Sequence, residues 1–338
     1  MRLMAPACML IVVTSLAFAA CDSTSAEQAP RPSRVQKSKK VSDEERRDAL
    51  SRATVWRHPD VPISRAHLGA DAAQAQSINC RFAITELGGT APKFDCTLEN
   101  GERIRIKYGR SPEIPSEVAA ARLLHALGFG ADNMMLVERL RCYGCPAEPF
   151  ITMRSLGLVG AEELYGKIAN PSAYKEFEWV AVERKHWGRS IETDTVEGWA
   201  FFELDQIDPK KGGAPRAHVD SLRLLSVLMA HWDNKSENQR LVCLSQADWP
   251  EGGRCARPLA MLHDIGGAFG PRKVDLEQWE KVSIWGDRAS CTATMETLPY
   301  NGATFKPVRI GEAGRPHLSA PLPQLAGVRI AARFARPR

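Results

Sequence analysis

Apolar and polar residues along this chain fall into runs of two periods. Asn79 to Glu86, Lys93 to Leu98 and Arg103 to Lys107 alternate with β-branched and aromatic content, which predicts three strands. Glu99-Asn100-Gly101-Glu102 is a two-residue turn signal that joins the last two. Between the first two lies Leu87-Gly88-Gly89-Thr90-Ala91-Pro92-Lys93, whose glycines let backbone amides approach an anion or simply form a turn. In Arg103-Ile104-Arg105-Ile106-Lys107 the isoleucines point to one face and the cations to the other. Lys107 therefore faces either a cleft or solvent.

A 3.6-residue period takes over twice. Pro115-Ser116-Glu117 opens a helix that runs through Leu127 and closes at Gly128. Glu117 sits in its first turn, where it suits the helix dipole or an ion pair with Lys107. Arg216 to His231 is predicted as a second helix, with Val219, Leu222, Leu225 and Met229 on one stripe. Ser42-Asp43-Glu44-Glu45 is a capping box that starts a helix to about Trp56, and Glu162 to Ile168 and Gly198 to Leu204 read as shorter helical pieces. Met134 to Arg141 and Phe177 to Glu183 read as strands. Gln239 to Leu244 and Leu259 to Leu262 read as a hairpin with its tip at Asp248 to Arg254. That hairpin carries Asp264 back towards Asp233 and Asn238. Residues 270 to 338 show no clear period, apart from a last helix at Ile330 to Phe334.

The first twenty residues change the setting. Arg2, an apolar run from Ala7 to Phe18 and the small pair Ala19-Ala20 before Cys21 form an export signal too short to span a bilayer. Small residues ahead of a cysteine resemble a bacterial lipoprotein signal, which implies acylation at Cys21, with plain secretion as the alternative. Asp22 to Lys40, nearly free of aliphatic residues, reads as a disordered tether. A net charge of +5 with no basic patch interleaved with aromatics gives no indication of nucleic-acid binding. In an oxidising compartment Cys80, Cys96, Cys142, Cys145, Cys243, Cys255 and Cys291 are disulfide candidates, and the odd number leaves a thiol over. A hairpin centred near Gly88 sets Cys80 opposite Cys96, and Cys243 and Cys255 flank the hairpin tip. Cys142-Tyr143-Gly144-Cys145 admits a disulfide, half a zinc site or redox chemistry.

The chemistry concentrates in His231-Trp232-Asp233-Asn234-Lys235-Ser236-Glu237-Asn238 and in His263-Asp264-Ile265-Gly266-Gly267. Phosphoryl transfer needs one carboxylate to orient the acceptor hydroxyl, and an amide oxygen with a second carboxylate to hold the metal on the phosphates. The full order is a glycine-bearing hairpin, a strand lysine, a helix glutamate, Asp-x-x-x-x-Asn and Asp-Ile-Gly. It resembles the protein-kinase-like superfamily, and more closely its HipA-like, CotH-like and phosphatidylinositol-kinase branches. Gly88 to Lys93 looks like the HipA-like phosphate loop, and Val182-Glu183-Arg184 like the segment that joins the lobes.

The resemblance implies an α+β, two-lobed kinase-like fold. Its N-lobe over 79 to 184 would be an antiparallel sheet with one glutamate-bearing helix, preceded by a helical extension over 41 to 78. A mainly helical C-lobe would occupy 185 to 338. It implies ATP with Mg²⁺ or Mn²⁺ as cofactors. Gly88, Gly89, Thr90, Lys93, Lys107, Glu117 and Glu183 would serve the nucleotide, Asp233 and Lys235 the transfer, and Asn238 with Asp264 the metal. The loop is not the G-x-G-x-x-G of ordinary protein kinases, His231-Trp232 stands where His-Arg is usual, and no Ala-Pro-Glu segment follows. The function so implied is transfer from ATP to a protein, glycan or lipid-linked acceptor outside the cytoplasm, on a chain anchored to the envelope membrane through its N-terminal lipid alone. A catalytically silent binding lipoprotein and nucleotidyl transfer are the alternatives.

Overall fold

A computed structural model of the chain describes residues 40–59, 77–156, 165, 169–184, 188–245, 247–249, 253–270, 274–281, 283–287, 289, 292–293 and 308–309. The export signal, Cys21, the tether, Cys291, nearly all of the 162–168 segment and the 330–334 helix lie outside the described residues.

The order begins with α1 (Asp43–Ser51), β1 (Ser77–Ala83), β2 (Lys93–Thr97), β3 (Arg103–Lys107), α2 (Glu113–Ala126), β4 (Asn133–Tyr143), α3 (Pro149–Leu156) and β5 (Tyr174–Arg184). It continues with β6 (Arg189–Ser190), α4 (Arg216–Leu228), β7 (Gln239–Cys243), β8 (Pro258–Leu262) and α5 (Leu276–Lys281). Short strands β9 (Trp285–Asp287), β10 (Thr292–Ala293) and β11 (Val308–Arg309) form a last small sheet.

The first five strands close into a barrel in the order β1-β2-β3-β5-β4, with all pairs antiparallel except the parallel β1–β4 seam. Period-two alternation drives the closure. Phe94, Cys96, Ile104, Ile106, Val180 and Val182 are buried together in one cluster. Their neighbours Lys93, Asp95, Arg105, Lys107, Ala181 and Glu183 take the opposite face. Fully burying each large apolar side chain contributes roughly 1.5–3 kcal/mol, so a one-residue slip that put the charged set inside would be prohibitive. In β5 the pleat changes phase at Trp179, a non-glycine residue with φ 53°, so Phe177 and Val180 both reach the cluster.

On the charged face α2 packs against β4 and β5. Pro115 falls in its first turn, where a missing N–H costs nothing, and Gly128 (φ 87°) ends it. A side chain at Gly128 would sit 2.1 Å from the Arg57 carbonyl, so the chain returns there only because the residue is glycine. α1 is capped by Ser42, whose Oγ accepts from the Glu45 N–H at 3.1 Å. The chain after it runs along the open edge of β8: Thr54 N–H donates to the Pro258 carbonyl and Ala260 N–H to the Thr54 carbonyl. Buried Arg46 pairs with both oxygens of Glu203 at 2.8 and 2.9 Å, tying α1 to the segment before α4.

This architecture overturns the expected two-lobed kinase-like fold. The first sheet is a closed barrel with a parallel seam, not an open antiparallel sheet. The part after Glu183 is not mainly helical: among the described residues it holds α4, α5, 3₁₀ turns and two three-stranded sheets, β6-β7-β8 and β9-β10-β11. The physical reason lies in the core. A single cluster joins Leu50 of α1, Leu124 of α2, Met134 of β4, Leu222 of α4 and Leu262 of β8, so described elements from both expected lobes share one core, while the barrel keeps an apolar interior of its own. Within the 41–78 segment, Leu50, Ala53 and Val55 of its described part pack into this core, and 60–76 lie outside the described residues. Two local expectations also shift. α4 stops at Leu228, because Ala230 takes a left-handed φ of 49°. Cys96 lies opposite Phe82 and not Cys80, so the Cys80–Cys96 disulfide runs diagonally across the two strands.

Disulfides join Cys80 to Cys96, Cys142 to Cys145 and Cys243 to Cys255. Non-reducing peptide mapping is expected to recover these three pairs. Replacing both Cys243 and Cys255 by alanine should lower the unfolding free energy by about 2–4 kcal/mol, the usual effect of removing a short-loop disulfide. Free thiols at all six positions, or an unchanged denaturant midpoint, would contradict this.

Candidate functional site

The charged face of the barrel, α2 and the segment after β8 converge on one ammonium. Lys107 comes from the end of β3 and is 7% exposed. Its Nζ donates to Glu117 Oε1 at 2.6 Å and to Asp264 Oδ1 at 2.9 Å. Glu117 is buried in α2, whereas the Asp264 side chain is 43% exposed and opens the pair towards solvent. The register pairs Lys93 with Lys107, so a second buried lysine lies alongside. A Cβ at Gly89 would come within 3.0 Å of Lys93 Nζ, which sets the glycine loop over that ammonium. Gly88 has open space around it, and among the described residues no hydrogen bond joins Thr90 to the cluster.

Asp264 adopts a left-handed φ of 47°, uncommon for a residue with a side chain and worth roughly 1–3 kcal/mol of strain. Its N–H donates to Asp132 Oδ2 at 3.0 Å, and the same carboxylate holds His263 Nδ1 at 2.7 Å. The 233–238 loop meets this segment from the other side. His263 N–H donates to the Asn238 carbonyl at 2.8 Å and Trp232 N–H to the Gly267 carbonyl at 3.3 Å. Asn238 Nδ2 donates to the Asp233 carbonyl at 2.7 Å, and Lys235 Nζ lies 3.6 Å from Asp233 Oδ1. Gly267 lets the loops touch: a Cβ there would be 3.0 Å from Asp233 Cβ. Behind the loop, Gly198 (φ 68°) admits the Ser236 carbonyl, which a side chain would meet at 2.1 Å.

Lys107, Glu117 and Asp264 are thus in direct contact. Asp233, Lys235 and Asn238 adjoin them through the paired loops, and Lys93 and Glu183 share the same electrostatic field. Sequence reasoning missed Glu113 and Asp132. Glu113 packs beside Gly266, and burial together with Asp264 raises its pKa. Asp132 precedes a strand with no motif around it, and only the His263-Asp264 backbone shows its role.

The charges are unequal in their response to burial. Desolvation opposes the Lys107 ammonium, but Glu117, Asp264 and Glu183 outweigh it and hold the lysine protonated. Burial also opposes the Asp264 carboxylate, yet Lys107 outweighs it and keeps that group well below the usual range. Glu117 is pushed up to about 7 by burial, against the pull of a lysine it shares with Asp264. Lys93 is lowered, first by burial and then by Lys107. His231 is fully buried, and desolvation pushes it down to about 4, so it is a neutral core ring at physiological pH.

The donors suit a hard divalent cation. Among the described residues, Asp264 Oδ1 alone is taken by Lys107, leaving Oδ2, and the Asn238 amide nitrogen is committed to Asp233, leaving Oδ1. Two such oxygens on adjoining backbone segments, with room for solvent on Asp264, are what Mg²⁺ or Mn²⁺ accepts. Comparison with protein-family models, curated proteins and solved structures finds no match to this chain.

The raised Glu117 pKa has a consequence for stability. Between its ordinary value of 4.5 and about 7 the folded state keeps a proton that the unfolded chain has released. Its contribution is therefore full below the lower value and lost as pH rises through the upper one. Denaturant unfolding from pH 4.5 to 7.5 should show wild type losing stability with rising pH relative to Glu117→Gln. Parallel curves would remove Glu117 as the titrating group.

Proposed function

We propose that the chain binds ATP with Mg²⁺ or Mn²⁺ and transfers its γ-phosphoryl group to a hydroxyl acceptor outside the cytoplasm. The observation that carries this reading is the buried Lys107 ammonium held between Glu117 and Asp264, with the 233–238 loop beside it. The ordered motif set of the kinase-like superfamily supports it, without that superfamily's two-lobed architecture.

In this reading Lys107 and Lys93 meet phosphate oxygens, the first oriented by Glu117 and the second beneath the Gly88-Gly89 loop. Glu183 borders the nucleotide from β5. Asp233 accepts the proton from the acceptor hydroxyl as its oxygen bonds to the γ-phosphorus. The bond from that phosphorus to the bridging oxygen of ADP breaks, and the departing oxygen keeps the electron pair. Lys235 offsets charge on the transferring group. Asn238 and Asp264 would hold the ion, which when bound neutralises charge on the phosphate oxygens. Positioning and electrostatics supply most of the rate. Three disulfides favour an exported setting, in keeping with a lipid-anchored envelope protein.

The test uses the full chain with Mn²⁺ or Mg²⁺ and ATP labelled at the α or the γ position, with thermal stability followed in parallel. Incorporated γ label is expected, abolished in Asp233→Ala with nucleotide affinity retained, whereas Asp264→Ala should lose affinity and metal dependence together. Incorporated α label would move the reaction to nucleotidyl transfer. A metal-dependent stability shift without incorporation would make this a binding protein, and no shift would end the nucleotide reading.

A further inference from the structure

A second group of ligating side chains lies behind Asp264; the phosphoryl-transfer reading gives Glu183 a place beside the nucleotide but leaves its grouping with Asp132 and His263 unexplained. Asp132 comes from the turn into β4, Glu183 from the end of β5 and His263 from the residue after β8. One ligating atom from each lies within 4.8 Å of the other two. Asp132 is 3% and Glu183 7% exposed. His263 Nδ1 lies 2.7 Å from Asp132 Oδ2 and 2.8 Å from Oδ1.

Glu183 is the informative member. Among the described residues no hydrogen bond or ion pair engages its carboxylate, although it is almost wholly buried. Lys93, Arg105 and Lys107 all act on it through space, yet none comes within ion-pair distance. Arg105, its register partner on β3, donates to Asp95 at 2.8 Å, and Lys107 serves Glu117 and Asp264. Buried charges are paired or bound to metal, because desolvating a lone carboxylate costs several kcal/mol. A carboxylate aimed at a second carboxylate and an imidazole therefore calls for a cation between them.

We infer that Asp132, Glu183 and His263 bind a divalent first-row transition ion of the manganese-to-zinc class, separate from the ion of the phosphate site. Two carboxylates and one imidazole form a mixed set that such ions accept, whereas Mg²⁺ and Ca²⁺ take oxygen almost exclusively. Without the ion His263 Nδ1 and Asp132 hydrogen-bond at 2.7 Å. The ion would displace that contact and any proton in it, and ligand atoms now within 4.8 Å of one another would take up the spacing that bonds of about 2.0–2.2 Å set. With His263 neutral, a doubly charged ion balances the two carboxylates. The ion would clamp β4, β5 and β8 at the point where Asp132 holds the Asp264 N–H. It would thus pre-order the left-handed turn at Asp264 before any nucleotide arrives. The inference is independent of the phosphoryl-transfer reading.

The test is made without nucleotide, on untagged full-length protein stripped with chelator and then titrated with Co²⁺. Retained metal is counted by mass spectrometry after gel filtration, and visible d–d bands report the ligand set. Wild type is expected to retain one ion more than Glu183→Gln or His263→Asn, each of which should weaken Co²⁺ affinity at least about tenfold. Asn238→Ala should leave the bands intact. Circular dichroism of the stripped variants separates a lost ligand from a lost fold; Glu183→Gln conserves shape, and His263→Asn provides an independent second variant. No retention by wild type, wild-type Co²⁺ affinity in both ligand variants, or loss of the bands in Asn238→Ala would overturn the assignment. The last result would give the ion to the phosphate site.

Discussion

An ammonium buried between two carboxylates organises this molecule. Lys107 reaches the charged face of the barrel only because Ile104 and Ile106 take the inner face. Once there it cannot stay unpaired at 7% exposure. Glu117 answers from α2 and Asp264 from the segment after β8, so one side chain joins the barrel, its covering helix and the far hairpin. Removing one partner of such a buried set typically costs about 3–5 kcal/mol, since the remaining charge is left without compensation. The interaction therefore serves the fold as much as any chemistry it supports.

The two carboxylates are not equivalent. Asp264 is partly open to solvent and strongly held in its charged form, while Glu117 is sealed and titrates near neutrality. A cation or phosphate arriving at the open side therefore meets Asp264 first, with Glu117 as the inner support of the lysine. The strained backbone at Asp264 is set by Asp132, whose carboxylate takes both the Asp264 N–H and the His263 ring. The outer charge, the inner charge and the backbone turn are thus fixed by three different segments.

A motif order that resembles one superfamily here sits on a closed barrel with its own apolar interior, beside a second core shared by helices and strands from both halves of the described chain. The local demands of the motifs are modest: a strand lysine, a helix that begins with a glutamate nearby, and two loops that touch through glycine. They are met by β3, α2 and the loops flanking β7 and β8. None of them requires an open sheet or a helical second lobe. The parallel β1–β4 seam and the shared core through α1, α2, α4 and β8 decide the architecture instead.

Much of the local structure was legible from the chain itself. Period-two alternation located β2 and β3, because a strand half buried on a barrel must alternate, and the expected strands at 134–141 and 177–183 fall inside β4 and β5. The Ser42 cap and Gly128 marked helix ends, because unsatisfied backbone groups and a left-handed turn demand those residue types. Lys107, Glu117, Asp233, Asn238 and Asp264 could be singled out, since their order along the chain carries chemistry. Long-range pairing decided the rest. No local signal says that β1 closes onto β4, that Ala230 ends α4, or that Cys80 lies diagonal to Cys96, for each depends on contacts from distant residues. The grouping of Asp132, Glu183 and His263 shows the limit most sharply: Glu183 lies 51 positions after Asp132 and His263 another 80 after Glu183, and only the folded barrel brings their ligating atoms within 4.8 Å.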